Sequence, residues 1–321
     1  YTLSLHDALP IRHFLLALLI LLSACSQPAK PPLRIAISPW PGYEFLYLAE
    51  QLKLFEAEGV EVQIVQFSSP VDGRRAYATG QVDGFCSSPD GVLIIREQSQ
   101  RQPRIVYVTD YSSGGDLIVS RKGIDTIQQL AGKRVGVEPG TISSYVLIQA
   151  LNKAKLDSHD LKLVYLSQSE ILNALTRDDI DAAVTYPPYS IAILKQPQYQ
   201  EIFDTREVPG EVLDVIAVDA ETLNARKNDV QAMLRALDAA YEYARQNPDK
   251  AYTIMAAREG ISVDELRHSI VNDLQMLRAV DQPFYFGDDQ RLLKALKSAQ
   301  AILLANGEIK QSVELTTLIA N

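Results

Sequence analysis

Residues 133–141 read Lys-Arg-Val-Gly-Val-Glu-Pro-Gly-Thr. Lys133 to Val137 predicts a short strand, Pro139-Gly140 turns the chain, and a helical pattern runs from Ile142 to Lys153. Further along, Leu161 to Leu166 predicts a strand, Ser169 to Arg177 a helix capped by its serine, and Ile180 to Ala183 another strand. The same order stands earlier in the chain. Leu33 to Ser38 predicts a strand, followed by Pro39-Trp40-Pro41-Gly42 and a helix from Tyr43 to Phe55 closed by Gly59. Val60 to Phe67 alternates as a strand, Ser68-Ser69-Pro70 caps a helix reaching Thr79, and Val82 to Phe85 predicts one more strand. Arg34-Ile35-Ala36-Ile37 matches Arg134-Val135-Gly136-Val137, and Gln81-Val82-Asp83-Gly84 matches Asp179-Ile180-Asp181-Ala182. Strands alternating with helices mean βαβ units on a mostly parallel sheet, so the repetition predicts two similar α/β lobes.

Past Asp219 the pattern is helical: 229–246, 249–259, 263–277 and 288–306. Val212 to Val218 predicts a strand between the second lobe and this helical C-terminal region. The chain is therefore expected to leave the first lobe near Asp116 and return near Val212, two crossings that make a hinge. The expected division is 33–116 plus 216–321 for lobe I and 117–215 for lobe II.

The amino-terminal part reads differently. Phe14 to Leu22 is an apolar run of 9 residues, too short to span a bilayer, which takes about 20. Arg12 and His13 precede it and Ser23-Ala24-Cys25 follow, the layout of a secretory signal peptide. Leu22-Ser23-Ala24-Cys25 resembles the lipobox of bacterial lipoproteins, which implies acylation of Cys25 and cleavage before it. Residues 12–24 are thus expected to be a lipoprotein signal peptide within a leader, 1–24, and 25–32 a lipid tether. Tyr1 to Ile11 lacks an initiator Met and carries Asp7 and Pro10 where a basic region belongs, so it is expected to be non-native.

Composition narrows the function classes. The chain has 321 residues, with 31 Lys+Arg against 40 Asp+Glu and a net charge of −9. That acidity argues against nucleic acid as partner, because phosphate contacts need a basic face. Two cysteines cannot carry a disulfide framework. The four histidines, at 6, 13, 159 and 268, show no zinc spacing, and neither a nucleophile elbow nor a phosphate loop is present. No catalytic residue, metal or cofactor is expected.

In open α/β sheets a ligand sits at the carboxyl ends of strands, facing helix starts. Those ends are rich in small hydroxylated residues: Ser38, Ser68-Ser69 and Ser87-Ser88 in one lobe, Thr141, Ser143-Ser144 and Thr185 in the other, and Ser112-Ser113-Gly114-Gly115 at the first crossing. Taken singly each serine reads as a helix cap. Repeated at every strand end they suggest a site whose N–H and hydroxyl donors suit an anion or zwitterion. Trp40, Tyr43 and Tyr186 read equally as aromatic walls of that site or as loop packing. Asp90, Asp116 and Asp214 are candidates to receive an ammonium group, although lone aspartates are more often structural. Arg74 and Arg75 read as a solvated helix face, which leaves the cleft poor in arginine.

The lipobox, Trp40-Pro41-Gly42, Gly80-Gln81-Val82-Asp83-Gly84, Asp110-Tyr111-Ser112-Ser113-Gly114-Gly115-Asp116, Leu130-Ala131-Gly132-Lys133-Arg134-Val135-Gly136-Val137 and Pro139-Gly140-Thr141 together resemble the periplasmic substrate-binding proteins of ABC importers for nitrate, sulfonates and taurine. The resemblance implies an α/β, two-lobed periplasmic-binding-protein fold of type II, with the ligand between Trp40, Ser88 and Ser112 on one side and Gly140, Thr141, Ser144 and Tyr186 on the other. Tyr43, Asp90, Gly114 and Asp214 complete the candidate set. It further implies a monomer on the extracytoplasmic face of a membrane, held by lipid at Cys25, that delivers a small anion or zwitterion to a permease and ATPase. Members usually carry Trp where Tyr186 stands, and some carry His where Ser144 stands, so the ligand stays open. An enzyme branch of this superfamily makes the pyrimidine of thiamine with a His and a Cys-rich motif; Cys86 stands alone here, which disfavours that branch. Binding of a thiamine pyrimidine precursor or another small heterocycle stays open.

Overall fold

Among the described residues, 30–287 and 289–320, eleven strands form two sheets in this computed structural model. The expected leader, Cys25 and most of the tether lie outside those residues. In chain order the strands are β1 (Leu33–Ile37), β2 (Val62–Gln66), β3 (Gly84–Ser87), β4 (Pro103–Ser112), β5 (Leu117–Arg121), β6 (Arg134–Val137), β7 (Lys162–Tyr165), β8 (Ala182–Thr185), β9 (Tyr199–Asp204), β10 (Leu213–Asp219) and β11 (Leu274–Met276). The first sheet runs β11-β4-β10-β3-β1-β2 and the second β7-β6-β8-β5-β9.

The two sheets repeat one plan. β1 lies parallel between β2 and β3, and β6 lies parallel between β7 and β8; β10 then pairs antiparallel with β3, and β5 with β8. The matched sequence pairs meet in matched clamps. Arg34 donates from its backbone N–H and Nε to Asp83 Oδ2 at 2.9 and 3.1 Å, and from Nη2 to Oδ1 at 2.9 Å. Arg134 does the same to Asp181 at 2.9, 3.1 and 2.8 Å. Planar guanidinium against planar carboxylate gives this two-bond geometry.

The chain passes between the sheets twice, once after Ser112 and once before Leu213. The second passage ends earlier than the sequence division put it: Leu213, Asp214 and Val215 pair with Tyr111, Asp110 and Val108 of β4, so residues 213–215 belong to the first sheet. Two tail expectations also change. The helix expected through Leu277 stops at His268, a π turn covers Ser269–Asp273, and Leu274–Met276 pairs with β4 as an edge strand. Backbone groups on the open edge of β4 need partners, and tertiary pairing there overrides the local helical period. The helix expected over Tyr43–Phe55 breaks at Lys53, whose φ is 57°, into Glu44–Gln51 and Leu54–Ala57.

Helix faces explain the packing. In the helix Lys227–Gln246, Val230, Met233, Leu237, Ala240, Tyr241 and Ala244 recur at three- and four-residue steps and are buried, giving one apolar stripe. That stripe packs on the helix Glu44–Gln51, where the Phe45 and Tyr241 rings sit 4.4 Å apart. A second apolar cluster joins the lobes: Val92 and Leu93 of the helix Pro89–Gln98 and Leu292 and Leu296 of the helix Arg291–Ala305 belong to one core with Val135, Tyr145 and Leu147 of the second lobe. No helix among the described residues is long and apolar enough to cross a membrane.

Candidate ligand-binding site

A small cavity, about 30 Å³, opens at the carboxyl ends of β1, β3, β6 and β8. Ser38, Trp40 and Tyr43 line it from the turn after β1, Arg74 from the helix Pro70–Ala78, Ser88 from the start of the helix Pro89–Gln98, and Asp214 from β10. Asp116 reaches it from the first crossing, Thr141 from the start of the helix Ile142–Ala154 and Tyr186 from the turn after β8. Of the sequence candidates, Trp40, Tyr43, Ser88, Thr141, Tyr186 and Asp214 are therefore together.

Arg74 corrects the sequence reading. It is 4% exposed, whereas Arg75 faces solvent beside Asp72 at 3.2 Å. Successive helix residues are turned by 100°, so neighbours of one type can have opposite fates. Its Nη1 lies 3.4 Å from Ser87 Oγ, and its Nη2 donates to the carbonyl oxygen of Gly140 in the second lobe, where φ is +70°. Gly91 makes room for it: a Cβ there would stand 2.7 Å from Nη1 and 2.2 Å from Ser87 Oγ. Burial lowers the guanidinium's pKa, the charges of Asp90 and Glu138 oppose that, and an arginine stays charged.

The floor is acidic. Trp40 donates from Nε1 to Asp110 Oδ1 at 3.1 Å and Thr109 from Oγ1 to Asp110 Oδ2 at 2.9 Å. Asp110 stands opposite Asp214 across β4 and β10, and the Tyr43 hydroxyl donates to Asp214 Oδ1. Gly42 is required here, since a Cβ would sit 2.1 Å from Asp110 Oδ2. Burial pushes both carboxyls well up, and the charge of Asp110 pushes Asp214 further. Two neighbouring buried carboxylates do not both ionise freely, so this pair retains a proton near neutrality.

Asp116 is 2% exposed, and its Oδ2 has no hydrogen-bond partner; burial pushes it up to about 7. Glu138, behind Tyr186, accepts from the Tyr186 hydroxyl at 3.4 Å and is likewise pushed up to about 7 by burial. The Ser38 hydroxyl is also buried without a partner. The aromatic walls meet edge to face, with Trp40 and Tyr186 centroids 5.9 Å apart at 77°. The cavity thus offers one cation, two carboxyls, one free hydroxyl and aromatic faces.

Five sequence candidates fall elsewhere. Ser112 Oγ accepts the Asp116 N–H at 2.9 Å and meets Thr205 Oγ1 at 2.7 Å, while the Gly114 N–H donates to Thr205 at 2.8 Å; both knit the two crossings together instead of lining the cavity. Ser144 lines a separate groove with Leu147, His159 and Glu308, because Thr141 caps the helix and the side chains one turn later point away. Asp90 is buried behind the cavity; burial raises its pKa, while Ser88 and the Arg74 charge favour its ionised form. Gly140 contributes its carbonyl through Arg74. Sequence reading missed Arg74 and Glu138; the helical turn separating Arg74 from Arg75 was the available signal for the first. Cys86 is buried and free in β3, and no cluster of His, Cys, Asp or Glu among the described residues could hold a metal.

Comparison with known proteins agrees with this architecture. The taurine-binding periplasmic protein of Escherichia coli (strain K12) is 28% identical over 215 residues, 63% of this chain and 65% of that protein. The formylaminopyrimidine-binding protein of Halalkalibacterium halodurans is 22% identical over 272 residues, 81% of each. The alkanesulfonate-binding protein SsuA from Xanthomonas axonopodis pv. citri, solved bound to MOPS, superposes with a TM-score of 0.78 at 17% identity, covering 91% of this chain and 99% of that one. The desulfurization enzyme DSZB shares the fold as well, so fold alone does not separate binders from enzymes. The sequence profile described as "NMT1/THI5 like" matches residues 40–251; the chain belongs to that family and has the two-lobed α/β fold of the periplasmic binding proteins.

Proposed function

We propose that this chain is the extracytoplasmic solute-binding component of an ABC importer, and that it closes its lobes around a small zwitterion of the taurine type. The observation that carries the ligand class is the pairing, in one cavity, of buried Arg74 with buried Asp116, whose Oδ2 has no hydrogen-bond partner. A sulfonate or carboxylate group suits the guanidinium, and an ammonium group suits the aspartate. A bare anion such as nitrate would find one cation among Asp116, Asp214 and Glu138, and like charge in a buried site is costly. A relative named for taurine supports the same reading.

A second reading is favoured by Trp40, Tyr43 and Tyr186. A flat aminopyrimidine could lie against these rings and donate its N–H to Asp116; a relative named for formylaminopyrimidine supports it. In either case a ligand touching both lobes binds the closed form better and shifts the population towards it. A permease and ATPase would receive the closed form, with lipid at Cys25 keeping the protein at the membrane.

Thermal unfolding with taurine, alkanesulfonates, nitrate and aminopyrimidines tests this. A true ligand at 100 times its Kd stabilises by about 2.7 kcal/mol and is recovered unchanged. Stabilisation by nitrate alone would overturn the zwitterion, no stabilisation by any of them would remove the solute-binding reading, and conversion of the solute would make the protein an enzyme.

A further inference from the structure

Behind the Trp40 wall lies a charged cluster that the ligand reading does not use. Glu44 opens the helix Glu44–Gln51 and is 0% exposed; Arg258 and Glu259 close the helix Pro248–Glu259, Glu259 buried and the Arg258 side chain 7% exposed. Glu259 Oε1 accepts the backbone N–H of Trp40 at 3.0 Å. Arg258 Nη2 stands 3.4 Å from the carbonyl oxygen of Ser38 and 3.0 Å from Glu44 Oε1, an ion pair whose angles fall short of a hydrogen bond. Both Glu44 oxygens and Glu259 Oε2 are otherwise without donors. Two carboxylates against one guanidinium leave a surplus negative charge in a site without water access, and one proton removes it. A protonated Glu44 also supplies the missing donor to Glu259, as two ionised carboxylates cannot.

We propose that Glu44 and Glu259 share one proton and, with Arg258, hold the Ser38–Trp40 segment in the shape that the solute meets, making Glu259 a positioning residue for the ligand. Its bearing on the ligand rests on the solute-binding reading above. Burial, the bond to Glu259 and the charge of Glu259 all hold Glu44 well above the ordinary carboxyl range, with Arg258 opposing. Tyr189, from the second lobe, and Cys86, from β3, also feel the cluster; burial raises the pKa of both. Tyr47 covers Arg258 with its ring at 5.7 Å. Raising the pH removes the shared proton, the carboxylates repel, and Trp40 loses its hold.

Trp40 is the sole tryptophan of the chain, so its fluorescence reports the wall directly, without any ligand. Emission of the full chain is followed from neutral to alkaline pH, with circular dichroism confirming that the fold persists. The wild type shows a transition in Trp40 emission. Glu44→Gln, whose amide imitates the protonated acid, keeps the neutral-pH emission and abolishes the transition. Glu259→Ala shifts emission at every pH, and Glu259→Gln, which keeps the acceptor oxygen, restores it at neutral pH. A transition that persists unchanged in Glu44→Gln belongs to Asp110, which Trp40 also touches, and overturns the proposal. Wild-type emission in Glu259→Ala overturns it too. Taurine affinity then falls about tenfold in Glu259→Ala; if taurine binds neither protein while the emission results hold, the ligand reading fails and the positioning role stands.

Discussion

Arg74, in the first lobe, donates from Nη2 to the main-chain carbonyl of Gly140, in the second. The side chain that offers the cavity its cation is therefore also a strap across the cleft. Arg74→Ala removes both roles and leaves Asp90 buried without its nearest positive charge. Loss of a charge-assisted bond together with the strap predicts a fall of about a hundredfold in affinity for the zwitterion, measured by titration calorimetry. Arg74→Lys recovers part of it, because an ammonium cannot reach Ser87 and Gly140 at once.

Gly91 tests the same arrangement without touching a charge. The Cβ of Gly91→Ala would overlap the Arg74 head group and Ser87, so the guanidinium must shift. Overpacking of this kind costs about 1–3 kcal/mol. Urea unfolding should show that loss, and ligand affinity should fall along with it.

Asp116 predicts a pH dependence with a definite sign. In the folded protein burial pushes its pKa up to about 7, from an ordinary carboxyl value of 3.8. The folded state thus keeps a proton that the unfolded chain has lost. The stability this contributes is present below the unfolded value and disappears as pH rises through about 7. Solute-free protein should be more stable at mildly acidic than at mildly alkaline pH, and Asp116→Asn should flatten that difference. Amine binding runs the other way: an ammonium group favours the carboxylate, so calorimetry in buffers of different ionisation enthalpy should show proton release near neutrality.

The seam between the lobes predicts a conventional core effect. Leu296 is fully buried within the shared apolar cluster. Leu296→Ala should destabilise by about 2–5 kcal/mol in urea; a cost below 1 kcal/mol would show that the seam is not packed as described.

Much of the architecture was legible because it is local and written twice. Arg34 with Asp83, and Arg134 with Asp181, marked equivalent places in two βαβ units, and the helix starts announced themselves through Ser69 and Thr141. What the sequence hid was long-range. Pro103–Ser112 and Tyr199–Asp204 become strands through partners far along the chain, and Leu274–Met276 trades a helical period for the edge of β4. The site was half legible. Aromatic and hydroxyl residues at strand ends were visible, but Arg74 looked like Arg75, and Ser112 and Ser144 looked like Ser88, because only the fold decides which way such side chains point.

The two arginine–aspartate clamps lie at the amino ends of the parallel strands, whereas every cavity residue contributed by those strands lies at or after a carboxyl end. What secures each lobe and what recognises the solute are thus separated by the length of a strand. Residues such as Trp40, Ser88, Thr141 and Tyr186 can be exchanged without loosening the fastenings, so selection is free to redraw the ligand preference of this scaffold one loop at a time.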